Sequence, residues 1–192
     1  MRSPQLVLHT GFARDAGGVP PGAARFAADA GELFEFDQPR RAVSAWELHR
    51  GGETIARLAR ARWWGRRHVI DTPRGRWWLN EGWLGRAELH RDGETAAAAR
   101  YQPGWLFNGR AWLADGVTLR WRRIEWNVFW HGAWEMRTED EFPILRFRIR
   151  RGFLRIGGTI EIVQGAAERP GLEEALLLGW YLALATTRRH SS

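Results

Sequence analysis

The chain has 192 residues, 44% hydrophobic and 27% charged, ordinary values for one folded domain with a substantial core. It contains no cysteine, which excludes disulfides, thiolate metal sites and thiol nucleophiles, and with them a disulfide-built secreted scaffold. The net charge is +7 and every one of the 29 basic residues is arginine. Such a surface favours nucleic acid or anionic membranes, although the codon bias of a GC-rich genome supplies the same excess without any partner.

The N-terminal stretch MRSPQLVLHTGFARDAGG lacks a continuous apolar run, so no signal peptide is expected. Residues 13–31, ARDAGGVPPGAARFAADAG, read as a lead-in with one helical turn around Ala23 to Ala28. The expected organisation is a lead-in over 1–30 and a single domain over 31–192.

From Gly31 to Val163 the texture is short alternating runs parted by turn signals. The signals are Gly51-Gly52, Asp92-Gly93, Asn108-Gly109, Asp115-Gly116 and Gly157-Gly158, residues that supply the positive φ angles of tight hairpins. ETIARLARARWW, Glu53 to Trp64, fits a helix nearly as well as a strand and is read as a strand. In WLGRAELHR, Trp83, Ala87 and Leu89 fall opposite Arg86, Glu88 and His90. In GVTLRWRR, Val117, Leu119 and Trp121 oppose Thr118, Arg120 and Arg122. Ile124, Trp126, Val128 and Trp130 share a face, and Leu145, Phe147 and Ile149 oppose Arg146, Arg148 and Arg150. A period of two marks a sheet with one buried and one wet face. Roughly ten to twelve strands at 8–12-residue spacing predict an all-β closed antiparallel barrel, because closure removes exposed edges.

The last segment, GLEEALLLGWYLALATTRRHSS, is predicted as a helix over 172–187. Glu173 and Glu174 in its first turn and Arg188 and Arg189 after its last complement the helix dipole. Its apolar run from Ala175 to Thr187 covers about 20 Å at 1.5 Å per residue, short of the roughly 30 Å of a bilayer core. Trp180 and Tyr181 also sit in mid-segment rather than at two interfaces. With no polar stripe, the helix is expected inside the barrel, with Leu176, Leu177, Trp180, Tyr181 and Leu184 in the core. A peripheral anchor is the alternative, and no transmembrane segment is expected.

A many-stranded barrel around a C-terminal apolar helix resembles the superfamily of the tubby C-terminal domain, the LURP-one-related proteins and the phospholipid scramblases. The resemblance spans Glu32 to Thr187. It rests on strand order, the terminal helix and HVIDTPRGRWWLNEGW, in which Asp71 and Gly75 make a turn between two strands. It implies a barrel of twelve strands that serves as a binding module, of the kind in which tubby domains hold phosphoinositide headgroups by basic residues on the barrel wall. The cysteine-rich lipidation segments of scramblases have no counterpart, and the acidic run Glu139-Asp140-Glu141 lacks the spacing of a calcium loop.

No catalytic machinery is legible. His9, His49, His68, His90, His131 and His190 have no metal-ligand spacing and read as surface groups, His68 at a strand start and His131 in a turn. Neither a nucleophile elbow nor a phosphate-binding loop occurs, and Gly157-Gly158 reads as a bulge or hairpin turn. Glu47, Glu88, Glu125 and Glu135 are expected in solvent beside arginines. No cofactor or metal site is assigned, and the protein is expected not to be an enzyme.

Two features suggest binding. Trp63-Trp64 and Trp77-Trp78 each place at least one ring outward among Arg62, Arg66, Arg67, Arg74 and Arg76, where it stacks on bases, meets a membrane interface or lies under a guanidinium plane. The rows Arg146, Arg148, Arg150 and Arg120, Arg122, with Arg137, are the candidate anion-binding surface, unless cross-strand glutamates neutralise them. The expected function is a cytoplasmic binding module, peripheral to the membrane, that contacts anionic phospholipid headgroups through these rows. Nucleic acid or a protein partner on the same face is the alternative.

Overall fold

The structure, a computed structural model, describes residues 29–39, 45–61, 65–105, 108–127, 131–151 and 156–189. Nearly all of the expected lead-in, including Ala23 to Ala28, lies outside the described residues. The strands are β1 (Leu33–Asp37), β2 (Ala45–Arg50), β3 (Glu53–Arg60), β4 (Arg67–Thr72), β5 (Gly75–Glu81) and β6 (Ala87–Arg91). They continue as β7 (Ala99–Pro103), β8 (Gly109–Leu113), β9 (Thr118–Asn127), β10 (His131–Thr138), β11 (Pro143–Arg151) and β12 (Ile156–Ile162). One helix, α1 (Leu172–Arg189), follows, reaching two residues past the expected end.

Each strand pairs antiparallel with the next in sequence, and β12 closes on β1 with Phe34 opposite Ile160 and Phe36 opposite Gly158. The alternation seen in the sequence becomes an inside and an outside. Leu145, Phe147 and Ile149 of β11 are buried, as are Leu119 and Trp121 of β9, while Arg148 and Arg150 face solvent. Trp77 turns inward and Trp78 outward, where the Arg67 guanidinium covers its ring at 3.9 Å and Asp92 accepts its indole N–H at 2.7 Å. Trp63 and Trp64 lie outside the described residues. At Gly51-Gly52, φ angles of +57° and +86° make the two-residue turn that matches the twist of β2 and β3.

The helix fills the barrel. Residues 175 to 184 are buried without interruption, so no face of α1 meets solvent along that stretch. Leu176, Leu177, Trp180, Tyr181 and Leu184 all belong to the one core cluster, with Phe34, Trp77, Trp121 and Phe147 from the surrounding wall. An apolar barrel interior and a helix apolar all round each supply what the other must bury. No helix among the described residues is long and apolar enough to cross a membrane.

Several expectations are corrected. Gly157 and Gly158 form neither a turn nor a bulge; they lie inside β12 in regular register with β11. Their smallness is needed for close approach, since a Cβ on Gly158 would collide with the Arg148 carbonyl oxygen and the Phe36 ring. Trp83 does not join Ala87 and Leu89 on the inner face. It stands in a 3₁₀ turn, Trp83–Gly85, and is 71% exposed.

Ile124 is the extra residue of a bulge, between Arg123 opposite Trp134 and Glu125 opposite Ala133, and so leaves the inner face. Val128, Trp130 and the Trp126 side chain lie outside what is described. His68 is fully buried, its ring 5.1 Å from that of Tyr181, rather than a surface group. His131 opens β10 instead of sitting in a turn.

Candidate binding surfaces

The outer wall is built from the outward positions of neighbouring strands. Cross-strand register therefore decides what each arginine meets. Glu135 of β10 stands between Arg122 of β9 and Arg146 of β11, and Arg146 in turn stands opposite Glu161 of β12. Contrary to the sequence reading, Glu135 is only 3% exposed, because guanidiniums cover it. Arg137 Nε and Arg146 Nε donate to its two carboxylate oxygens at 2.6 and 2.8 Å. The hydrogen bond to Glu135 raises Arg146 above the ordinary guanidinium range against a small desolvation cost. Arg146 also lies 3.8 Å from Glu161.

A second carboxylate gathers the other row. Glu141, in the β10–β11 turn, adopts φ +64°, a left-handed backbone that costs a non-glycine residue about 1–2 kcal/mol. From there it accepts from Arg120 at 2.6 Å and lies 3.6 and 3.4 Å from Arg122 and Arg137. Of the six expected anion-binding arginines, Arg120, Arg122, Arg137 and Arg146 therefore each have a carboxylate partner within the molecule. Arg148 and Arg150 have no ion pair among the described residues. Their cross-strand neighbours, Ala133, Thr159, His131 and Gly157, carry no carboxylate.

Replacing Glu135 by alanine strips two arginines of their shared, buried partner. The expected loss is about 1–3 kcal/mol, below that of a fully buried pair because both guanidiniums reach water. Urea unfolding of Glu135→Ala against the parent measures it, and an unchanged midpoint would show that solvent satisfies both arginines.

The two ends of the barrel differ more than its sides. Because the strands run up and down in order, connections alternate between ends. One end carries the β2–β3, β4–β5, β6–β7, β8–β9 and β10–β11 connections and the start of α1. Those connections hold Asp92, Glu94, Asp115, Glu139, Asp140 and Glu141. At this end Arg74 pairs with Glu173 at 2.9 Å. Burial pushes the Glu173 carboxyl above the usual range, while Arg74 pulls the other way.

A carboxyl that binds its proton more tightly when folded loses stability as pH rises from the ordinary glutamate value to its raised one, and is flat beyond. Wild type should therefore weaken relative to Glu173→Gln across that interval. Thermal melts of both proteins through the acidic range would show it, and parallel curves would refute the shift.

The other end carries the remaining connections and the end of α1. By sequence, none of these connections contains Asp or Glu. The described large side chains here point at solvent: Trp83 is 71% exposed, Leu84 73% and Trp105 83%. Arginine flanks the Trp83 turn. The Arg66 guanidinium lies 5.6 Å from the Trp83 ring, and Arg86, exposed, closes the turn by its carbonyl to the Gly82 N–H at 2.8 Å. Leu84 adopts φ +59° and ψ +20°, a conformation suited to glycine. A leucine both strained and exposed gains nothing for the fold.

Two further groupings were not legible in the sequence. Asp37, Glu47 and His49 bring potential ligand atoms within 4.8 Å of one another on the wall. Thr54 and Asp37 already engage both imidazole nitrogens, at 3.1 and 3.5 Å. His68 Nε2 lies 4.0 Å from Glu81 inside the barrel. In comparisons with known proteins, no family model, curated protein or solved structure matches this chain.

Proposed function

We propose that the protein is a non-enzymatic binding module for anionic phospholipid surfaces, which it meets with the aromatic end of the barrel. The observation that carries this reading is Leu84: strained, exposed, and set between Trp83 and arginines in a connection without carboxylates. Tryptophan and leucine gain free energy at the headgroup boundary that they cannot gain in water. Guanidinium groups beside them pair with phosphate. The acidic groups gathered at the far end orient approach, since a negative surface repels that end and attracts this one.

The architecture resembles the tubby and LURP-one-related barrels, and tubby domains bind headgroups on the wall. Here the wall arginines are mostly paired, which favours the end instead. The wall, with Arg57, Asp71, Arg76, Arg100 and Arg110 outward and exposed, does not suit hydrocarbon, so contact is peripheral.

Flotation with vesicles of anionic or zwitterionic lipid, at low and high salt, tests the reading. Binding should be confined to the anionic set and weaken with salt. Leu84→Gly separates function from folding. It relieves backbone strain and should hold or raise the melting temperature, yet weaken flotation severalfold. A parent protein that ignores vesicles but holds single-stranded DNA would assign the aromatic end to nucleic acid.

A further inference from the structure

The aromatic end also holds a groove beside the end of the helix. Between the end of α1 and the β5–β6 and β7–β8 connections runs an open groove of about 730 Å³. Leu84 and Trp105 stand at its exposed rim, Trp121 and Tyr181 form its buried floor, and Leu182 and Ala185 give it a helical wall. The volume falls within the roughly 300–1,000 Å³ typical of small-molecule sites, and the lining is predominantly apolar as such sites are.

We infer that this groove takes a single fatty acyl chain bearing an anionic head. The chemistry of the two parts matches the two parts of the site. The walls offer hydrocarbon and aromatic surface to a chain. Arg86 follows Gly85 of the lining in the chain and is exposed and without an ion pair among the described residues, so an anionic head that emerges beside Gly85 has a guanidinium within reach of its side chain. The inference rests on the surface reading above, which supplies the route: side chains that enter the headgroup layer are those at the groove mouth, so a chain reaches the floor without crossing water. The groove stops at the buried aromatic floor, which limits it to one chain end rather than a channel through the barrel.

Quenching by stearate dibrominated at mid-chain tests the fit, because bromine quenches tryptophan only on contact and Trp105 and Trp121 line the groove. Titrating the full chain without vesicles should quench a fixed part of its emission saturably, at one molecule per chain, while unbrominated stearate does not. Ala185→Phe fills the helical wall and should raise the half-saturating concentration at least tenfold. Thr186→Phe, at a second partly buried lining position, serves if the first variant fails to fold. Flotation with anionic vesicles should be unchanged in either.

Absence of saturable quenching, or quenching undiminished in both variants, overturns the groove assignment. If flotation persists in that case, the surface reading stands alone. Saturable quenching sensitive to Ala185→Phe but without flotation keeps the groove and discards the membrane.

Discussion

Replacing Trp83 and Trp105 together by alanine should lower affinity for anionic vesicles at least about a hundredfold and leave the melting temperature within a few degrees. The two halves of that result have one cause. Both rings stand in water, 71% and 83% exposed, so their removal takes little from the folded core. At a bilayer surface the same rings are buried. An indole buries 150–250 Å² when enclosed; half of that, at about 25 cal/mol per Å², is about 2–3 kcal/mol per ring. Two rings give roughly 4–6 kcal/mol, and each 1.4 kcal/mol is tenfold in affinity.

Loss of the Arg66 contact with Trp83 subtracts little, as cation–π pairs at exposed sites are worth about 0.5–1 kcal/mol. The matching control is Arg148→Ala with Arg150→Ala, the wall arginines that lack partners. If that pair abolishes flotation while the tryptophan pair does not, the contact surface is the wall and the end is decoration.

The second large effect lies in the core. Trp180→Ala should destabilise the protein by about 3–5 kcal/mol, the usual cost of removing a buried aromatic ring from a packed interior. For a chain of this size that is a fall in melting temperature of roughly 6–20 °C. Trp180 is fully buried at the middle of α1, with wall strands all around, and the barrel cannot collapse around the void without breaking its own register. The measurement also tests the architecture. If α1 were a peripheral anchor, the same substitution would leave the melting temperature unmoved and change vesicle binding instead.

The strands and the helix were legible because their signals are local. A two-residue period in RFRIRR or TLRWRR reports a half-buried strand whatever lies beside it. A helix apolar on all sides and too short for a bilayer has only a protein interior to occupy. Closure followed from the number of strands and from the cost of leaving edges open.

Ion pairing was legible only as glutamates near arginines, because which carboxylate meets which guanidinium is a property of the register between neighbouring strands. Arg137, two residues along β10, shares the face of Glu135 by local parity, but nothing near Glu135 in the chain announces that Arg122 and Arg146 will flank it and complete its burial. Glu161 reaches Arg146 from β12 for the same reason. The glycine pair at Gly157-Gly158 has the composition of a turn, and only its neighbours on β1 and β11, the Phe36 ring and the Arg148 carbonyl, explain why a strand needs glycine there. Trp83 kept the right parity for the core but stands beyond the last paired residue of β5, where parity no longer points inward.

By itself, the sequence determined that this protein is an antiparallel barrel with a helix inside, rich in outward arginine. Tertiary structure alone decided which arginines are spent on neighbouring carboxylates and which end of the barrel gathers exposed tryptophan. Periodicity fixes the face on which a side chain lies, whereas its partners are fixed by pairing across the sheet, and pairing is set by the whole closed ring of strands at once.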